Sequence, residues 1–262
     1  MNAIILAAGK GERLRPLTDN RPKCLVKLFG KSILEWQIES FQNLGITDIT
    51  VVTGYLSDLI NFPSVKIIKN NKFNTTNMLE TLFCAETSFT NSTIISYGDI
   101  IFESSILKKL ISSKYDSSII IDKNWLDYWK IRFKNPLDDA ESLEVNDDGY
   151  IKNIGQKVTD IKNIQGQYIG LMKFQNTSII DLVKIYHNAK NDAKLGTNPL
   201  NPDIDFQNSY MTDFLNFLIS LNFNLKSIEI ENGWLELDSI SDYNIYKKMY
   251  DNNTLKIFFN PV

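Results

Sequence analysis

The sequence predicts an α/β fold in which a mostly parallel β-sheet is flanked by helices and a small antiparallel β element is inserted in the second half. Three observations point there. Short apolar runs alternate with amphipathic segments of helical period from Asn2 to Ile121, and turns built from small residues follow several of those runs. After Asp122 the alternation gives way to two short segments flanking Asn146-Asp147-Asp148-Gly149, whose Asp-Gly step marks a hairpin. With 262 residues and 43% hydrophobic content, the chain can bury one sizeable core, and it reads as a single domain over 1–262 with an insertion at about 123–168.

The elements follow in order. Asn2 to Leu6 is an apolar strand, Val26 and Leu28 mark a short strand piece, and Ser32 opens a helix that runs to about Leu44, where Gly45 ends it. Ile49 to Val52 and Val65 to Ile68 are strands on either side of a helical turn at Tyr55 to Ile60. A helix from about Thr76 to Thr87 leads to a strand at Thr93 to Ser96, a turn at Tyr97-Gly98-Asp99, a helix at Ser105 to Ile111 and a strand at Ser118 to Ile121. Beyond the hairpin come a strand at Ile169 to Phe174, a helix at Ser178 to His187, and a loop rich in Pro and Asn at Gly196 to Pro202. A helix at Tyr210 to Leu221, strands at Leu225 to Ile230 and Trp234 to Leu237, and a helix at Ser239 to Tyr250 complete the chain.

Composition removes several function classes. The net charge of −3 comes from intermixed acids and bases, which is no footprint for nucleic acid. No apolar run is long enough to span a membrane, and the chain opens on a core strand rather than a leader, so the expected location is the cytoplasm. Cys24 and Cys84 are the only cysteines, and Cys84 is expected to pack as a small hydrophobe within a helix. His187 is the only histidine and lies on an amphipathic helix, where a surface or capping role is expected; mechanisms that need a histidine pair are excluded. There is no Gly-x-Ser-x-Gly elbow.

The first strand runs into Ala7-Ala8-Gly9-Lys10-Gly11-Glu12-Arg13, with Arg21-Pro22-Lys23 close behind. Backbone N–H groups in a turn of Ala and Gly can approach phosphate oxygens, and Arg13 and Lys23 can add charge-assisted hydrogen bonds. Two other phosphate motifs fail. Leu14 stands where a dinucleotide fingerprint needs its third glycine, and Leu25 stands where a Walker loop ending in Gly30-Lys31-Ser32 needs its first. An ordinary strand-to-loop turn with surface cations is the alternative. In open parallel sheets ligands bind at the carboxyl ends of strands, and the Gly9 turn, Gly98-Asp99 and Asp238 each follow an apolar strand. Two carboxylates beside a phosphate-binding turn suggest magnesium, whereas capping of the helices near Ser104 and Ser239 is the competing role for Asp99 and Asp238.

Leu6 to Thr18 with Arg21-Pro22-Lys23 resembles the signature of the nucleotidyltransferases that activate phosphorylated sugars and small alcohols. The likeness extends to Gly54-Tyr55, Tyr97-Gly98-Asp99 and Trp234-Leu235-Glu236-Leu237-Asp238, so it covers nearly the whole chain. It implies a Rossmann-like sheet of the nucleotide-diphospho-sugar transferase type. It also implies nucleotide contacts from Leu6, Ala7, Ala8, Gly9, Lys10, Gly11 and Glu12 with Tyr55 and Gly98, catalytic cations at Arg13 and Lys23, and Mg2+ on Asp99 and Asp238. An acceptor oxygen would attack the α-phosphorus of a nucleoside triphosphate and pyrophosphate would leave. Positioning and charge stabilisation carry such a transfer, so a side-chain nucleophile is not needed.

The chain is most similar to the short CTP-using branch, the phosphocholine, phosphonate and phosphoglutamine cytidylyltransferases. Lys72 to Leu82 resembles that branch's Asn-containing segment, with Asn77 at the position near the cytosine; opening a helix is the other role open to Asn77. Asn135 to Leu143, Ile154 to Lys157 and Gly166 to Gly170 are similar to its acceptor side. On that likeness Lys157 would partner the acceptor phosphate, Tyr168 would border the acceptor, and Glu141 or Asp139 would receive an acceptor ammonium, whereas a hairpin rim ordinarily carries solvated charges, which is the favoured role for either acid taken singly. Trp125, Tyr128 and Trp129 raise an aromatic cage for choline, although their spacing also forms one helical face turned to a core. The partners implied are CTP and a small phosphorylated or phosphonate metabolite, serving cell-surface polysaccharide or capsule modification. A homodimer through Leu255 to Phe259 competes with docking of that segment on its own domain. A sugar-1-phosphate nucleotidylyltransferase using UTP or dTTP, and a non-catalytic nucleotide-binding regulator, are the other readings.

Overall fold

A computed structural model describes residues 1–261. Its first half contains β1 (Asn2–Ala7), β2 (Lys27–Leu28), β3 (Lys31–Ser32), α1 (Ile33–Gln42), β4 (Ile49–Thr53), β5 (Lys66–Lys69), α2 (Met78–Phe83), β6 (Ser92–Tyr97), β7 (Ile100–Phe102), α3 (Ser104–Ile111) and β8 (Ser117–Asp122). The second half contains α4 (Trp125–Arg132), β9 (Glu141–Val145), β10 (Ile151–Lys157), β11 (Gln167–Gln175), α5 (Thr177–Leu195), α6 (Met211–Ser220), β12 (Lys226–Ile230), β13 (Trp234–Glu236) and α7 (Ile240–Asp251). Seven strands form one sheet in the order β12-β8-β11-β6-β1-β4-β5. Every neighbouring pair is parallel except those of β11, which runs antiparallel to both β6 and β8.

Strand alternation puts the core on both faces. Ala3, Ile5 and Ala7 of β1 pack with Leu34, Ile38 and Phe41 of α1, while Ile4 and Leu6 pack with Leu79 and Leu82 of α2 and Phe214 and Leu218 of α6. Both faces of β1 are therefore buried, which is why its sequence reads as a continuous apolar run. Ser32 and Glu35 form a capping box that fixes the start of α1: Glu35 N–H donates to Ser32 Oγ at 3.2 Å and Ser32 N–H to Glu35 Oε2 at 2.6 Å. Ser239 and Asp242 do the same for α7.

Four expectations need correction. β7 was not anticipated, and it pairs antiparallel with β13, so Trp234 to Glu236 forms a separate two-stranded ribbon outside the main sheet. α2 is a short helix beginning at Met78 because Asn77 caps it. Cys84, just past its end, is exposed rather than packed, while Cys24 is buried. α5 continues past His187 to Leu195, and His187 sits on the surface facing Glu86. The hairpin expected around Asp147-Asp148-Gly149 is formed by β9 and β10. No helix among the described residues is long and apolar enough to cross a membrane.

The C-terminal segment docks on its own chain. Phe259 lies against Phe29 and edge-on to Trp36, Phe258 packs beside Tyr128, and both are buried, leaving only Ile257 of the Ile257-Phe258-Phe259 run exposed. Intramolecular packing thus satisfies most of the apolar surface that a dimer contact would have used. Phe259→Ala should lower unfolding free energy by about 3–5 kcal/mol, the cost of emptying a large buried aromatic site. Urea denaturation measures the loss.

Candidate active site

The turn after β1 lies at the carboxyl edge of the sheet, and its geometry explains its small residues. Gly11 adopts φ +66°, and a Cβ there would stand 2.9 Å from Cβ of Lys23, so glycine both permits the left-handed turn and lets Lys23 close in. Gly98 answers from β6: its N–H donates to the Leu6 carbonyl at 2.9 Å, and a Cβ would come within 2.5 Å of that same oxygen. Gln37 of α1, buried, pins this second turn. Its Nε2 donates to the carbonyls of Tyr97 and Ile100, each at 2.8 Å, and its Oε1 accepts from Ser96 Oγ at 2.8 Å. The backbone just past β13 joins in, since Leu237 N–H donates to the Asp99 carbonyl at 2.9 Å.

These supports bring four charged groups together. Lys23 Nζ lies 2.8 Å from Asp99 Oδ2 and 2.8 Å from Asp238 Oδ1, and Arg13 pairs with the other oxygen of Asp238. Neither aspartate caps a helix: α3 has Glu103 at its N-cap, and Ser239 caps α7. Burial alone would lower the Lys23 pKa, but Asp99, Asp238 and Glu236 override it and hold the ammonium well above its ordinary value. Burial likewise works against ionised Asp238, and Lys23 with Arg13 outweighs it, holding the carboxyl below its ordinary range.

A cavity of about 470 Å3 opens beside this cluster. Leu6, Ala7, Gly9, Lys10, Gly11 and Glu12 line one side, and Arg13, Lys23, Gly98, Asp99 and Asp238 line another. Ala8 is one step behind, where its carbonyl accepts from Tyr55 N–H at 3.2 Å. Tyr55 braces the turn from outside, its hydroxyl donating to the Asp19 carbonyl at 3.2 Å. Asn77 does not line this cavity; its neighbours Phe73, Asn74 and Met78 do. The donor set suits a divalent cation. Two carboxylates stand beside the glycine turn, and Asp99 Oδ1 is buried with no hydrogen-bond partner. Among the described residues no cluster of three or more His, Cys, Asp or Glu is arranged for a metal, so substrate oxygens would have to complete its shell.

A second cavity of about 190 Å3 adjoins the first and shares Met78 with it. Its wall carries Asp139, Glu141 and Glu236, the rings of Tyr97, Trp129 and Tyr168, and no lysine or arginine. Glu141 is exposed at the rim, yet the concave wall crowds it with protein. That desolvation, followed by the charges of Asp139 and Asp213, pushes its pKa up to about 7. Gln167 holds the Glu141 backbone on both sides, accepting from its N–H at 3.2 Å and donating to its carbonyl at 2.6 Å. Gly170, at φ +83°, leaves room for the Tyr97 ring, which meets Tyr168 edge-on.

Two expected acceptor residues are placed elsewhere. Trp125 is buried in the core against Trp129, because α4 turns that face inward, so it borders neither cavity and builds no cage. Lys157 lies exposed at the end of β10, opposite Glu141 in the hairpin register, and also lines neither cavity.

Glu236 and Arg132 were missed by sequence reasoning. Arg132 is buried, with Nη1 2.7 Å from Glu236 Oε2 and Nε 3.0 Å from Asp242 Oδ1. The same Asp242 carboxylate accepts from the backbone N–H of Asp238 and Ser239 at 3.2 and 2.8 Å, so Arg132 anchors the segment that presents Asp238. The signals existed: Glu236 stands two residues before Asp238, and Arg132 falls at the inward position of the Trp125, Tyr128, Trp129 face.

Comparison with known proteins defines first the class and then the relatives. Residues 3–125 match the MobA-like NTP transferase domain. Over 256 residues the chain is 40% identical to the CTP:phosphoglutamine cytidylyltransferase of Campylobacter jejuni, covering 94% of this chain and 98% of that protein; the chain belongs to the nucleotidyltransferase family. It is 36% identical over 121 residues to the choline-phosphate cytidylyltransferase of Streptococcus pneumoniae, covering 45% of this chain and 53% of that one. The fold matches the solved structures of the Streptococcus pneumoniae CTP:phosphocholine cytidylyltransferase and of the inositol-1-phosphate CTP transferase from T. maritima. Their TM-scores are 0.70 and 0.68 at 22% and 18% identity, covering 95% of this chain in each case and 98% and 96% of theirs.

Lys23→Met should reduce kcat/KM by roughly 10²–10³-fold or more, the usual cost of deleting one preorganised charge partner. It should also change acid stability. A carboxyl whose folded pKa is depressed contributes stability above its unfolded pKa and loses it as pH falls through the folded value. Removing Lys23 raises the folded pKa of Asp238, so stability near pH 7 drops and the acid limb flattens. Urea denaturation at stepped pH, compared with the unsubstituted chain, reads both effects.

Proposed function

We propose that the chain transfers CMP from CTP to a small phosphorylated acceptor bearing a positively charged nitrogen, with L-glutamine phosphate as the leading candidate. One observation carries the reading: a cation-bearing cavity beside the glycine turn adjoins a second cavity walled by acids and aromatic rings and free of cations. The relation to the Campylobacter jejuni enzyme supports the choice of nucleotide and acceptor.

In this reading the turn from Leu6 to Gly11 presents backbone N–H groups to the triphosphate, and Arg13 and Lys23 hold its phosphates. Asp99 and Asp238 would hold Mg2+, which neutralises phosphate charge when bound. An acceptor phosphate oxygen forms a bond to the α-phosphorus of CTP, the bond to the bridging oxygen breaks, and pyrophosphate leaves with its electron pair. Asp139 and Glu141 receive the acceptor ammonium, and Trp129 and Tyr168 enclose its apolar stem. The product would serve cell-surface polysaccharide modification in the cytoplasm.

A pyrophosphate-release screen crossing CTP, UTP, dTTP and ATP with L-glutamine phosphate, 2-aminoethylphosphonate, phosphocholine and a hexose 1-phosphate tests the reading. Release should be greatest with CTP and L-glutamine phosphate. Turnover only of a hexose 1-phosphate with UTP or dTTP would replace it with the sugar-nucleotide reading.

Glu141→Gln should raise the acceptor KM about tenfold or more, as expected for losing a hydrogen bond to a charged group, with CTP KM unchanged. Acceptor affinity should strengthen as pH rises through about 7, where the Glu141 carboxyl ionises. That dependence should diminish in Glu141→Gln when acceptor binding is followed by calorimetry.

A further inference from the structure

Asn77 occupies the position that resemblance associates with the cytosine, but its polar groups are engaged in holding the chain together. Oδ1 accepts from Met78 N–H at 2.8 Å, which caps α2. Nδ2 donates to the Asn208 carbonyl at 3.2 Å, and the Asn77 backbone N–H donates to the Gln207 carbonyl at 2.9 Å. The Asn77 carbonyl in turn accepts from both N–H and Oγ1 of Thr81. Asn77 is therefore a junction between two walls. On its own side Phe73, Asn74 and Met78 line the phosphate-side cavity. On the other side the short helical turn Phe206–Asn208 leads directly into Tyr210, Met211 and Thr212, which line the second cavity.

We propose that Asn77 is a positioning residue that clamps the 207–208 backbone to the start of α2, so that its contribution falls on acceptor binding rather than on recognition of the base. The clamp fixes the distance between Met78, which borders both cavities, and the Tyr210 to Thr212 wall. Phe206, packed on Tyr186, anchors the same loop from below, and Asn198 holds it from within through Ser209 Oγ at 3.0 Å. Apolar packing also joins the two sides, since Tyr186 stacks on Phe83 of α2 and Phe83 meets Phe214 of α6 edge-on, but the Asn77 bonds are the hydrogen bonds that tie the 207–208 backbone to the start of α2. The kinetic part of this inference rests on the acceptor reading above; the clamp itself does not.

Asn77→Asp separates the roles. Aspartate keeps an oxygen for the Met78 N–H and caps helices well, but it cannot donate to the Asn208 carbonyl. Hydrogen–deuterium exchange should show faster exchange across 199–210, with α2 unchanged. With CTP and L-glutamine phosphate, acceptor KM should rise about tenfold while CTP KM and the preference for CTP over UTP stay within twofold. Unchanged exchange across 199–210 would overturn the clamp. A rise in CTP KM, alone or together with acceptor KM, or no change in either, would overturn its assignment to the acceptor. If the unsubstituted chain turns over no acceptor at all, the functional reading fails separately and the exchange measurement still decides the clamp.

Discussion

The site depends on one ammonium group shared by two carboxylates. Asp99 and Asp238 come from segments far apart in the chain, and each would resist burial beside the other without a cation between them. Lys23 is held there by the glycine turn, since Gly11 yields the space its stem needs. Much of the local architecture serves this meeting of charges. Gln37 fixes the turn before Asp99, the β7–β13 ribbon brings Asp238 alongside, and Asp242 with Arg132 anchors the backbone beyond it.

The same arrangement ties the two cavities together. From Asp99 the polar chain runs through Lys23 to Asp238, through the Asp242 carboxylate to Arg132, and from there to Glu236 on the wall of the second cavity. Arg132 is contributed by α4, whose other inward residues, Trp125, Tyr128 and Trp129, are core aromatics. The two cavities thus share a buried network in which most partners already satisfy one another.

What could be read from the sequence was set by local rules. The strand and helix alternation, the helix start at Ser32 and the hairpin at Asp148-Gly149 are decided within a few residues and form as expected, and the turn after β1 lines a cavity. The failures required knowledge of distant partners. Ile100 to Phe102 is a strand only because Trp234 to Glu236 pairs with it, and Cys84 is exposed because Asn77 starts α2 late and the helix ends at Phe83. Trp125 has the composition of a ligand cage and the spacing of a core face, and packing against Trp129 realised the spacing. Asn77 is compatible with a cap or a base contact; the cap forms, and its amide also meets the Asn208 carbonyl, a partner that no local pattern reveals.

The separation of charge between the cavities bears on acceptor orientation. Lys10, Arg13 and Lys23 all face the first cavity, while the second has Asp139, Glu141 and Glu236 and no cation on its wall. Under the proposed reading, an acceptor with a phosphoryl group at one end and an ammonium at the other has one electrostatically favourable direction. Its phosphoryl end turns toward Lys23 and its nitrogen toward Glu141. A wholly anionic acceptor gains nothing from the second cavity and is repelled by its carboxylates. Because desolvation and the neighbouring acids push the Glu141 pKa up to about 7, its carboxyl is partly protonated near neutral pH before an acceptor arrives. An arriving ammonium favours the ionised form, so the residue that recognises the acceptor acquires its full charge when the matching cation is present.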